Sequence, residues 1–189
     1  MSKKKRDDSY FAASRRKNRK YMMIIIPIIA AVVVAGAAAA VLAPPGPDFG
    51  PLGSAHEHAI FVVKLDGQYV DFSQRQYQIG ATGNQFIHFE GGEGTTIHKH
   101  STRVPIGEYL RSVGMDIRDG CFVHNNGNQY CDDPSSGKTL RFFVNGEEVS
   151  SIMDYVLQDD DRILVIYGDE DEEELQAEFE RLDNMEIQV

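Results

Sequence analysis

The sequence predicts an α+β protein with an N-terminal transmembrane helix, a small antiparallel or mixed β-sheet domain carrying one packed helix, and an acidic C-terminal helix. Three observations support this fold class. An apolar stretch lies near the N-terminus, alternating strand-like segments with Asp-Gly and Asn-Gly turns follow it, and a helical apolar stripe interrupts the strands. Short strands grouped around one helix are typical of α+β domains.

Charge is distributed unevenly along the 189 residues. Residues 1–20 carry nine Lys or Arg and two Asp, a balance of +7, whereas the rest of the chain has a balance of −17. Nucleic-acid binding needs a basic face that displaces counterions from phosphates, and an acidic body does not provide one. We therefore expect a basic tail over residues 1–20 and no nucleic-acid partner.

Residues 22–42 contain no charged side chain. A helix of that length covers about 30 Å, the thickness of the hydrocarbon core of a bilayer. Because the basic tail precedes this stretch, we predict a single-pass anchor over 21–43 that contacts membrane lipid, with the N-terminus in the cytoplasm and the C-terminal domain outside. The alternative is a cleaved signal peptide, since small residues end the run.

A Pro/Gly-rich linker is predicted over residues 44–54, followed by a folded domain over 55–168. The domain should begin with a hairpin, because strand-like segments at 59–65 and 68–72 flank Asp66-Gly67. Asp-Gly favours the left-handed backbone conformations of a type I′ turn. The segment that follows the hairpin has no clear periodicity.

Two further strands are predicted at 85–89 and 95–100, with a turn over Gly91–Gly94 between them. A helical stripe then covers 102–113, with Gly114 as its stop signal. The remaining predicted elements are a hairpin at 121–131, a strand at 140–144, a short strand or helical turn at 152–157, a strand at 162–167, and an acidic helix at 170–185 within a tail over 169–189.

The chain has two cysteines, Cys121 and Cys131. On the predicted outer side of a membrane, an even pair indicates a disulfide. Closing this loop would contribute roughly 3 kcal/mol in the chain-entropy model. No CxxC motif is present, so a structural disulfide is favoured over a redox-active one.

Five of the six histidines fall within one window, residues 56–100, which contains neither Met nor Cys. Together with one glutamate they form three pairs at i, i+2 spacing. Residues at this spacing point to the same face of a strand, roughly 6.5–7 Å apart, so both can reach one ion. The candidate metal ligands are His56, His58, His88, Glu90, His98 and His100.

A nitrogen-rich ligand set suits Cu(II), Zn(II) or Ni(II), and the lack of thiolate and thioether donors argues against a Cu(I) or blue-copper site. Two alternatives stay open: the histidines could be polar residues on the surface of strands, and Glu90 could be a hydrogen-bond acceptor that orients a ligand. His124 is expected to be an ordinary loop residue. No catalytic residue is assigned, because GxSxG, P-loop and HExxH motifs are absent.

The blocks HEHAIFVVKLDG, HFEGGEGTTIHKHST and DRILVIYG, within residues 56–168, resemble those of single-span, His-rich outer-surface proteins of ammonia-oxidising archaea. Members of that group often carry the label protein-disulfide isomerase, and the resemblance implies copper handling, with zinc as the alternative. The closing run VNGEEV…DRILVIYG also resembles the C-terminal half of β-grasp domains.

Three functions are therefore expected in decreasing order. The first is a membrane-anchored, extracytoplasmic metal-binding protein, with copper as the metal. The second is a disulfide-stabilised interaction module of a membrane complex or of a metalloprotein partner. The third is a metal- or thiol-dependent enzyme, such as a protein of the thiol-disulfide isomerase type that lacks CxxC.

Overall fold

The computed structural model describes residues 21–34 and 48–188. The described residues fall into two units, one within Met1–Pro47 and one within Asp48–Val189. The predicted basic tail lies outside the described residues, as do the later part of the predicted anchor and the first part of the predicted linker.

In the first unit, residues 21–34 form helix α1. Among the described residues, no helix has both the length and the apolar character needed to cross a membrane. This finding contradicts the predicted transmembrane helix, and with it that part of the fold class, the single-pass topology and the cell-membrane localisation.

The second unit is a mixed α/β structure. Its strands are β1 (Glu57–Leu65), β2 (Gln68–Tyr69), β3 (Ile87–His88), β4 (Thr96–Lys99), β5 (Asp116–Arg118), β6 (Cys121–Val123), β7 (Gln129–Cys131), β8 (Thr139–Val144), β9 (Glu147–Val149) and β10 (Arg162–Gly168). Its helices are α2 (Ile79–Thr82), α3 (Ile106–Ser112) and α4 (Glu172–Asp183), and a 3₁₀ turn covers Arg75–Tyr77.

Seven strands form the main sheet, in the order β3-β4-β1-β10-β8-β9, with β2 paired to the end of β1. Strands β1 and β10 run parallel, and every other pair in this sheet is antiparallel. Strands β5, β6 and β7 form a separate antiparallel sheet. The longest strand, β1, therefore lies inside the main sheet with partners on both sides.

Each face of the main sheet packs against its own hydrophobic core. On β1, Phe61 and Val63 belong to the first core, which includes Tyr109 of α3, whereas Ile60 and Val62 belong to the second core. Successive side chains on a strand point to opposite faces, so one strand supplies both cores. The strand is apolar at nearly every position because both of its faces are covered.

Helix α4 covers the second core. Its Leu175 and Leu182 are each 2% exposed and contact the apolar side chains of β1 and β10. Asp171 and Glu174 form a capping box at its N-terminus, which satisfies backbone N–H groups that have no partner within the helix. The acidic C-terminal segment therefore packs on the sheet through a narrow apolar stripe and exposes most of its carboxylates, whereas Glu178 is buried.

Candidate metal centre

Three histidines meet at one end of the main sheet because three neighbouring strands place them in register. His58 of β1 faces His98 of β4, and His98 faces His88 of β3. The sequence neighbours of these histidines, such as Ala59 on β1 and Ile97 on β4, are buried in the first core. The imidazoles consequently point to the other face, the side that α4 covers.

His56 and His100 extend this group. The ring of His56 lies 4.8 Å from that of His58 and 4.8 Å from that of His100, measured between centroids. The ring of His100 in turn lies 5.0 Å from that of His88. All five predicted histidines therefore form one contiguous cluster, which we call the imidazole cluster.

The segment before β1 fixes the outer part of the imidazole cluster. The backbone N–H of Gly53 donates to the carbonyl of His100 at 2.7 Å, and that of Gly50 donates to the carbonyl of Thr102 at 2.7 Å. A side chain on Gly50 would collide with Thr102. Residues 48–54, predicted as linker, thus pack along the strand end and lead His56 into place.

His56, His58 and His98 could hold a metal ion, because each offers a nitrogen and these nitrogens lie within 4.8 Å of one another. His58 and His98 are buried, whereas His56 is exposed. The Nε2 atom of His58 is buried and has no hydrogen-bond partner in the described part of the chain. A buried polar atom without a partner is costly, and a bound cation would remove that cost.

Asp159 supports His58 from a distant part of the chain. Its Oδ1 accepts a hydrogen bond from the backbone N–H of His58 at 2.9 Å and lies 3.8 Å from His58 Nδ1. The backbone N–H of Asp160 donates to the His58 carbonyl at 2.9 Å. The sequence gives no signal for Asp159, since nothing in an acidic loop 101 residues away indicates its partner.

Glu90 lies between two imidazoles. Its Oε2 is 3.3 Å from His88 Nε2, and its Oε1 is 3.9 Å from His98 Nδ1. The other nitrogen of His88, Nδ1, is 2.9 Å from the carbonyl of Asn84, which can only accept. Asn84 could not be predicted from the sequence either, because its contact with His88 is made by the backbone carbonyl.

Burial keeps the inner imidazoles neutral. It lowers the pKa of His98 to about 4, Glu90 opposes this shift, and the positive charge that the neighbouring histidines would carry adds to it. Burial likewise lowers the pKa of His88 and of His100. A neutral imidazole is the form that binds a metal ion, so these residues are ready to act as ligands at neutral pH.

The remaining predicted residues lie elsewhere. His124 follows β6 and lines a surface cleft of about 560 Å³ together with Tyr77 and Tyr130. Cys121 and Cys131 occupy facing positions on β6 and β7 and form a disulfide. The disulfide is therefore part of the second sheet, whereas the imidazole cluster belongs to the main sheet.

Comparisons with protein-family models, with curated proteins and with solved structures gave no match.

Proposed function

We propose that this chain is a metal-binding protein whose ion is a divalent first-row transition metal held by His56, His58 and His98. The observation that carries the proposal is the Nε2 atom of His58, a buried ligand atom with no hydrogen-bond partner in the described residues, surrounded by other imidazoles. The function is capture and storage of the ion by a preformed set of ligands on a rigid sheet.

Copper(II) is the ion that the donor set favours. The donors are imidazole nitrogens with one carboxylate nearby, and both cysteines are in a disulfide, so no thiolate is available to select Cu(I). For a given nitrogen site, affinity rises along the first-row series to Cu(II) and falls again at Zn(II). Zinc remains the competing ion because three histidines also suit its tetrahedral geometry.

Thiol chemistry receives less support. A reactive cysteine typically lies at the start of a helix or beside a cation, which lowers its pKa. Here the two cysteines lie on facing strands of a small sheet and are bonded to each other. That arrangement is the one expected of a structural crosslink.

The test is a competition titration of the full-length protein with Cu(II), and separately with Zn(II), against a chelator of known affinity. His58→Ala should weaken binding at least 10-fold, since it removes the central ligand. His124→Ala is the matched control, because His124 lies outside the imidazole cluster, and it should bind like wild type. Equal affinities for wild type and His58→Ala would contradict the proposal.

A further inference from the structure

The imidazole cluster contains more ligands than one ion uses. His56, His58 and His98 form the group proposed above, and two more imidazoles and one carboxylate adjoin them. A nitrogen-bound copper or zinc ion usually takes four protein ligands or fewer, with water or another group completing the set. His88, His100 and Glu90 therefore need a role of their own.

His88 is set up as a ligand for a second ion. Its Nδ1 lies 2.9 Å from the Asn84 carbonyl, so Nδ1 carries the proton and Nε2 presents its lone pair. Metal-binding histidines are oriented in this way, by a hydrogen bond from the ring nitrogen that does not bind the metal. The carbonyl of Asn84 holds the ring with Nε2 directed at Glu90.

The separation of His88 Nε2 and Glu90 Oε2, 3.3 Å, fits two donors on one ion. Two atoms that each lie 2.0–2.1 Å from an ion in tetrahedral geometry are separated by about 3.3–3.4 Å. His100, whose ring centroid is 5.0 Å from that of His88, adjoins this pair on the side of His56. These three residues offer two nitrogens and a carboxylate within one patch.

Glu90 also reaches the first group. While Oε2 faces His88, Oε1 lies 3.9 Å from Nδ1 of His98. One carboxylate thus has an oxygen directed at each group of imidazoles. A carboxylate in this position can bind one ion through each oxygen and bridge the two.

We infer that the cluster is a two-ion centre, in which His88, His100 and Glu90 hold a second divalent transition-metal ion beside the one held by His56, His58 and His98, with Glu90 as the bridge between them. This inference rests on the proposed function, since it adds a second ion to the same cluster.

The test measures copper content of the full-length protein after Cu(II) loading and removal of free metal. Wild type should retain two ions per chain, and His88→Ala and Glu90→Ala should each retain one. Glu90 is exposed, so its variant is expected to fold even if replacement of buried His88 does not. Glu147→Ala, an exposed carboxylate on β9 at the far edge of the sheet, is the control and should retain two ions.

The possible results distinguish failure of the two-ion centre from failure of the proposed metal-binding function. One ion in wild type would overturn the two-ion centre and leave the proposed function standing, whereas no retained ion would overturn both. Two ions in both His88→Ala and Glu90→Ala would also overturn the second site. Electron paramagnetic resonance tests the bridge: coupled Cu(II) ions should give less integrated signal per copper in wild type than in Glu90→Ala, and equal signal would overturn bridging by Glu90.

Discussion

His58 and His98 face each other across the antiparallel pair β1–β4, with ring centroids 4.7 Å apart and ring planes at 89°. Both are buried, at 8% and 7% exposure. The residues next to them on their strands, Ala59 and Ile97, are packed in the first core, so the two rings cannot separate without disturbing the sheet. A metal ion would therefore bind a preorganised pair, which lowers the entropic cost of assembling the site.

Asp159 should be needed for full metal affinity. Replacing it by Asn removes the charge beside His58 Nδ1 and weakens the hydrogen bond to the His58 backbone N–H. Supporting residues of this kind typically contribute 10–100-fold to affinity, so we expect a loss of about 10-fold for Asp159→Asn in a Cu(II) competition titration. Asp160→Asn is the control, because Asp160 is the next residue along the chain and its side chain has no contact with an imidazole among the described residues. Similar losses of Cu(II) affinity in both variants would mean that the overall negative charge of this loop matters more than the contact of Asp159 with His58.

The metal-free protein should lose stability on mild acidification. An imidazole in the unfolded chain titrates near 6.5, whereas burial lowers the pKa of His98 in the folded chain to about 4. Between these values the unfolded chain binds the additional proton, so the free energy of unfolding falls as the pH falls. From pH 7 to pH 5 we expect a loss on the order of 1–2 kcal/mol from His98, measured by urea unfolding in the presence of a chelator.

The variant His98→Gln separates this effect from other titrations, because it cannot be protonated. Its stability should depend less on pH between 7 and 5 than that of wild type, while His124→Gln should follow wild type. If the free energy of unfolding of wild type did not change between pH 7 and pH 5, that result would contradict a buried, neutral His98. The measured pH range ends at pH 5 because carboxylates with lowered pKa values, such as Glu93, contribute to the pH dependence of stability at lower pH.

Local patterns predicted much of the second unit. Asp66-Gly67 and Asn145-Gly146 both have positive φ values at the turn positions, as type I′ hairpins require. The i, i+2 spacing of His98 and His100 placed them on one face, because the alternation of a strand is a local property. The helix that begins after Pro105 was also predicted from its apolar stripe, although it is shorter than expected.

Long-range pairings could not be predicted in the same way. The parallel alignment of β1 with β10 joins segments about a hundred residues apart, and no local pattern specifies it. The contact of Asp159 with His58 depends on that alignment, because Asp159 lies just before β10. The packing of residues 48–54 was missed because Pro and Gly indicate an irregular backbone without indicating its contacts.

The disulfide should stabilise the fold without affecting the imidazole cluster. Cys121 and Cys131 are separated by 10 residues, and crosslinking a loop of that length contributes about 2–3 kcal/mol in the chain-entropy model. The double variant Cys121→Ala/Cys131→Ala should be less stable by about that amount in urea unfolding. Its Cu(II) content at 25 °C should equal that of wild type, since the second sheet does not contribute a ligand. A loss of copper in a folded double variant would contradict this separation.

Lys64 and Glu178 form an ion pair between β1 and α4, with Nζ 2.9 Å from Oε1 and both side chains largely buried. Glu178→Met leaves the Lys64 charge with Glu170 alone, 3.1 Å away, so we expect a loss of about 2–3 kcal/mol in the free energy of unfolding. Replacing both residues by Met removes one charged pair but leaves the largely buried Glu170 carboxylate without Lys64 and the Tyr69 hydroxyl without Glu178. The double variant should therefore stay less stable than wild type by about 2–3 kcal/mol, because removal of one partner leaves a buried charge uncompensated. A double variant as stable as wild type would mean that Glu170 and Tyr69 do not need these partners.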